Sequence, residues 1–99
     1  MSTEKTAWDV GVTNKARKNK DSLPPEIELA FMALFKALQQ DGPIQPRRRN
    51  FGKLEGKKDT WHCHLNSGRP TYVVVWKVLN KQEKLMEILY VGTHENAPY

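Results

Sequence analysis

The run Thr71–Leu79 constrains this chain most. Tyr72, Val73, Val74, Val75, Trp76, Val78 and Leu79 leave neither alternating face polar, so a strand here needs apolar cover on both sides. It is therefore expected at the centre of a sheet. The segments around it supply neighbours. Trp61, Cys63 and Leu65 fall on one face of a preceding strand while His62 and His64 fall on the other, because strand side chains alternate. Leu85–Thr93 makes a last strand. Asn66-Ser67-Gly68 and Asn80-Lys81-Gln82-Glu83 carry turn chemistry between them, and Pro70 opens the central run where a missing N–H does least harm.

Upstream the period changes. Trp8, Val10 and Val12 alternate with Asp9 and Gly11, which predicts a short strand, and the basic stretch Asn14–Lys20 reads as a short helix or a solvated arm. Ile27, Ala30, Phe31, Leu34, Phe35 and Leu38 then recur at three- and four-residue spacing, drawing one apolar stripe along a helix from Pro24 to Gln40. Asp21 or Ser22 offers a cap, Pro24 and Pro25 suit the first turn, and Asp41-Gly42-Pro43 ends it. Ile44–Asp59 reads as a long connection held by Ile44, Phe51 and Leu54, with room for a short strand around Phe51. The expectation is an α+β fold: a small, mainly antiparallel four-stranded sheet with one or two N-terminal helices packed on one face. The chain has 99 residues, 38% of them hydrophobic, enough for a single domain over 1–99 and not for two cores.

Charge and cysteine usage limit the chemistry. Six cations, Arg47, Arg48, Arg49, Lys53, Lys57 and Lys58, stand against Glu55 between Pro43 and Lys58, so this segment alone accounts for the net charge of +5. Such a cluster attracts polyanions and releases their counterions. Its plainer reading is a solvated loop, or a docking surface for an acidic protein. Cys63 is the one cysteine, which excludes an internal disulfide and a multi-thiolate metal site. Met1–Lys5 lacks the apolar core of a signal peptide, and no apolar run is long enough to span a membrane, so a cytoplasmic protein with no membrane contact is expected.

Three histidines remain, His62, His64 and His94, with Tyr99 a few residues beyond the last. Imidazole exchanges protons near neutral pH. Attack of a ribose 2′-hydroxyl on its own phosphate needs a base for that hydroxyl, an acid for the departing 5′-oxygen and cations around the phosphate. His64 and His94 fit the acid–base pair. Arg69, with Lys53, Lys57 and Lys58, could hold the phosphate, and Tyr99 could stack on a base or donate its hydroxyl. Arg47, Arg48, Arg49 and His62 complete an RNA-binding set. His62 alone reads more simply as a surface side chain, and Cys63 as a small buried one. A zinc site on His62, His64 and His94 is the alternative, but that hairpin has no carboxylate to orient the rings and the surroundings are cationic, so no metal or other cofactor is expected.

Trp61-His62-Cys63-His64-Leu65, the run Tyr72–Lys77 and Leu89-Tyr90-Val91-Gly92-Thr93-His94, in this order after a helix and a basic loop, resemble the RelE/ParE superfamily of toxin–antitoxin toxins. The resemblance is greatest to its RelE-, HigB- and YafQ-like mRNA endonucleases. It implies ribosome-dependent mRNA cleavage that inhibits translation, with mRNA on the ribosome and a cognate antitoxin as partners, and operator DNA met only through the antitoxin complex. It also implies catalytic roles for His64 and His94 and a substrate-side place for Tyr99. Two departures stand out. The YafQ-like pattern has an acid in the turn after the strand histidine, where this chain reads Asn66-Ser67-Gly68-Arg69-Pro70, and the tail aromatic is displaced by one residue. ParE-like members of the superfamily bind DNA gyrase without nuclease chemistry. That function, or a non-catalytic RNA-binding module, is the alternative to the nuclease.

Overall fold

The computed structural model describes residues 7–99; Met1–Lys5 lies outside them. In chain order the elements are β1 (Asp9–Val12), α1 (Asn14–Lys20), α2 (Pro25–Asp41), β2 (Gly52–Lys53), β3 (Thr60–His64), β4 (Tyr72–Asn80), β5 (Leu85–Thr93) and a 3₁₀ turn over His94–Asn96. The strands form one sheet in the order β1-β5-β4-β3-β2. The apolar run is indeed near its centre, with β3 and β5 antiparallel on either side, and β1 runs parallel to β5 from Asp9↔Leu85 to Val12↔Ile88. There are five strands rather than four. The fifth is β2, which pairs only Gly52 with His62 and Lys53 with Trp61, too short to show any period in sequence.

Asn14–Lys20 is a helix because Thr13 caps it: the Ala16 N–H donates to Thr13 Oγ1 at 3.1 Å. The long helix does not use Asp21 or Ser22 as its cap. Pro24 occupies that position with no side-chain bond, and Pro25 follows where a missing N–H leaves nothing to satisfy. At the other end Gly42 takes φ 89° and donates to the Leu38 carbonyl at 3.0 Å. A Cβ there would come within 2.9 Å of Trp8 Nε1, so both backbone angle and space demand glycine.

Ile27, Phe31, Leu34 and Leu38 of α2 bury their stripe against Cys63, Val74, Trp76, Met86, Ile88 and Val91 on one sheet face. Trp76 is fully buried there, and its indole N–H donates to the Pro43 carbonyl at 3.1 Å, which holds the chain as it leaves α2. Ile44 does not anchor the connection. It is 50% exposed, and Gln45 takes the inward place, donating to the Gly42 carbonyl at 2.9 Å. Leu54, Val73, Val75 and Tyr90 form a second cluster on the outer sheet face, joined by Leu89 and Ala97.

A bulge decides which residues reach that outer face. Val75 pairs with Tyr90 and Trp76 with Ile88, leaving Leu89 as an extra residue in β5. Ile88 and Val91 point to the helix, whereas Leu89 and Tyr90 both join the outer cluster. The extra residue therefore turns the end of β5, and the His94 that follows, toward the outer side.

Candidate active site

The histidines gather on the sheet face away from α2. His62 and His64 are opposite Val75 and Val73 in the β3–β4 pairing, and these valines belong to the outer cluster. His94 arrives from the end of β5, where its backbone N–H donates to the Thr71 carbonyl at 2.7 Å and fixes the turn to the start of β4. The rings of His64 and His94 meet edge to face with centroids 5.5 Å apart. His62 and His64 are 6.3 Å apart.

Tyr99 closes the group. Its ring lies 5.0 Å from His62 and 5.8 Å from His94, and its hydroxyl approaches His62 Nδ1 at 3.5 Å. The tail reaches this place because Ala97 packs on the outer cluster and its N–H donates to the His94 carbonyl at 3.2 Å. A further support is Tyr90, whose hydroxyl donates to the Thr93 carbonyl at 2.7 Å, passing over Gly92. A Cβ on Gly92 would meet that hydroxyl oxygen at 2.7 Å, so the glycine lets the ring brace the residue before His94. Sequence places Tyr90 and Gly92 in the closing motif without giving either a role of its own; only the bulge puts the ring on this face.

Burial, then the positive charge of His94 and of Arg49, hold His64 below the usual imidazole range. His62 is lowered in the same way, by burial first and then by His64 and His94. Burial raises the Tyr99 phenol. Such lowering keeps His64 neutral at pH 7, the form that accepts a proton. Among the described residues no set of three His, Cys, Asp or Glu side chains converges as metal ligands would have to.

The cations divide among several surfaces. Arg49 is beside β3, its carbonyl accepting from the His64 N–H at 2.8 Å. Arg69 shares with His64, Pro70, Thr71, Thr93, His94 and Glu95 an open cleft of about 410 Å³. Lys57 stands on the outer side, lining a hollow with Leu54, Tyr90 and Pro98. Lys57 and Lys58 lie in the β2–β3 loop and line a second hollow with Lys53, the last residue of β2. Lys53 turns elsewhere. Its side chain extends toward Trp61, with Nζ 6.0 Å from the ring centroid, on the face opposite the imidazoles. Arg48 faces α2 as well, its Nη2 3.4 Å from the Ala33 carbonyl. Arg47 is exposed in the loop.

No family model and no curated protein matches the sequence. Solved structures do match. The archaeal RelE–RelB complex from Pyrococcus horikoshii aligns with a TM-score of 0.72 over 91% of this chain and 98% of that one, at 24% identity. A mutant E. coli RelE toxin in the free state gives 0.71 over 92% and 87%, at 19% identity. The chain has the RelE fold. The YoeB dimer from Staphylococcus aureus extends the likeness, with a TM-score of 0.68 over 88% of this chain and 97% of that one at 12% identity. On this RelE fold the group of three imidazoles and Tyr99 occupies the face that the helices leave uncovered.

Proposed function

We propose that this chain is the toxin of a type II toxin–antitoxin pair, a single-domain endoribonuclease that cleaves mRNA on the ribosome and so inhibits translation. The observation that carries the reading is the meeting of His64, from β3, and His94, from the 3₁₀ turn after β5, with ring centroids 5.5 Å apart beside Arg69 and Tyr99 on an open face. Neutral His64 takes the proton from the 2′-hydroxyl, and the freed oxygen attacks the adjacent phosphorus. His94 gives a proton to the departing 5′-oxygen, leaving a 2′,3′-cyclic phosphate and a 5′-hydroxyl. Arg69 and Arg49 offset the charge that builds on the phosphate, and Tyr99 stacks on a flanking base. Lys57 and Lys58 continue the positive track for RNA beyond the site.

The likeness to a RelE–RelB complex supports a cognate antitoxin as partner. An acidic segment covering the imidazole face would silence the toxin, and operator DNA would be met only through that complex. Among the described residues no helix is long and apolar enough to cross a membrane. The proposed place of action is the cytoplasm, because translating ribosomes and their mRNA are there. A gyrase poison would leave the paired imidazoles without a task.

Induced expression tests this directly. Growth and translation should stop and mRNA ends should appear within translated frames. His64→Ala and His94→Ala should each lower cleavage by about 10²–10⁴-fold while the protein keeps its circular dichroism spectrum. Full toxicity in both variants, or DNA breaks without RNA cuts, would refute the nuclease.

A further inference from the structure

An acid–base imidazole is ordinarily oriented by a hydrogen bond to its second nitrogen. Among the described residues neither His64 nor His94 has such a bond or an ion pair on its ring; each ring meets other aromatic rings. The placement of His94 therefore comes from its main chain. Thr93 is extended, with φ −69° and ψ 150°, and His94 opens the 3₁₀ turn, so the peptide between them is the joint at which the chain leaves the sheet. Both polar ends of that peptide are held. Its N–H donates to the Thr71 carbonyl at 2.7 Å, and its carbonyl accepts from the Tyr90 hydroxyl at 2.7 Å, both well within hydrogen-bond range. The first bond is backbone to backbone and open to any sequence. The second depends on one side chain.

The surroundings of Tyr90 single out its hydroxyl. The residue is 7% exposed among Leu54, Val73 and Val75, a place that phenylalanine would fill as well. A phenol oxygen brought there costs free energy unless it is bonded. Burial raises the phenol above its ordinary value and the bond to Thr93 draws it partly back, so the group keeps its proton and donates throughout the neutral range. Gly92 leaves the path open, since a Cβ there would lie 2.7 Å from the hydroxyl oxygen and 3.0 Å from Cζ. The bulge at Leu89, the tyrosine and the glycine thus converge on one carbonyl. We propose that Tyr90 is a positioning residue for the acid of the cleavage reaction: its hydroxyl fixes the Thr93–His94 peptide and so holds the His94 ring 5.5 Å from that of His64. The inference rests on the nuclease function above. Among the described residues Tyr90 has no ring contact with either imidazole, so it acts through the main chain of His94.

The test is Tyr90→Phe, which keeps the ring and removes the hydroxyl. It is assayed by single-turnover cleavage of reporter mRNA on stalled ribosomes, with rates expressed per folded molecule from circular dichroism. The rate at saturating toxin should fall about 10–10²-fold, the cost of a displacement on the order of 1 Å, while the half-saturating concentration stays within about twofold. In a His94→Ala background the same change should alter the residual rate by less than about twofold, because a residue that acts through His94 has nothing left to act on. In the protein without RNA, labelled with isotopic histidine, the His94 ring resonances should shift in Tyr90→Phe. A Tyr90→Phe rate equal to wild type, or unmoved His94 resonances, would overturn this inference and leave the nuclease standing. So would an equal fall in both backgrounds, which would make Tyr90 a general support of the fold. Absence of cutting by the wild-type chain would overturn the nuclease and the inference together.

Discussion

Cys63 lies between two histidines in sequence and among leucines and a tryptophan in space. Alternation sends its thiol to the α2 side, where it is 1% exposed and burial pushes its pKa up to about 12 against the opposing pull of Arg48. The thiol is therefore kept out of any reaction on the imidazole face. His64, one residue away, has the opposite surroundings. For the proposed cleavage, its lowered pKa puts the acidic limb of kcat/KM below about 6.5, the ordinary histidine value, because protonating His64 in the free enzyme removes the base. Removing the nearby cation in Arg49→Gln should move this acidic limb to higher pH, since the imidazolium is then opposed less. A limb that stays in place would show that Arg49 does not act on the base. The histidines were legible as one-faced because β3 is regular. The allotment of the cations was not: Lys53 and Arg48 turn away from the imidazoles and Arg49 acts on one, although all three belong to one basic run.

At the scale of elements, α2 shows how far periodicity reaches. Its stripe identified Ile27, Phe31, Leu34 and Leu38 correctly, and the same period left Leu29 and Met32 exposed, at 69% and 56%. Chemical denaturation can check the difference. Leu34→Ala should cost about 2–5 kcal/mol, and Leu29→Ala should stay within about 0.5 kcal/mol. Equal costs would mean that the outer side of α2 is covered in solution. Strand β5 marks the limit of the same method. An uninterrupted alternation would send Tyr90 to the helix side, whereas the extra residue at Leu89 puts it outside, under the segment that carries His94. A bulge depends on the partner strand's register, which no local pattern records.

Across the whole molecule, the imidazole face and the helix layer draw on different parts of the chain. His62 and His64 are carried by β3 and His94 by the turn that ends β5, the two strands that flank β4 in a meander, whereas the helices cover the other side and β1 adds an edge strand to the sheet. Val10→Ala in β1 should thus lower stability by about 1 kcal/mol or more, yet leave the cleavage rate per folded molecule within about twofold of wild type. A large loss of rate at unchanged folded fraction would show that β1 shapes the site.

The parallel seam between β1 and β5 also sets an order of assembly. Thr13 Oγ1 donates to the carbonyl of Leu89, 76 residues away, so this seam joins parts of the chain that are far apart in sequence. Hairpins between neighbouring strands close early because their loops are short, and the long loop that this seam encloses makes its nucleation slow. The meander of β3, β4 and β5 should consequently form before β1 docks on the edge of β5. The slowest step in folding is then the docking of this edge strand, and a chaperone that captures the chain early would meet the imidazole face already built.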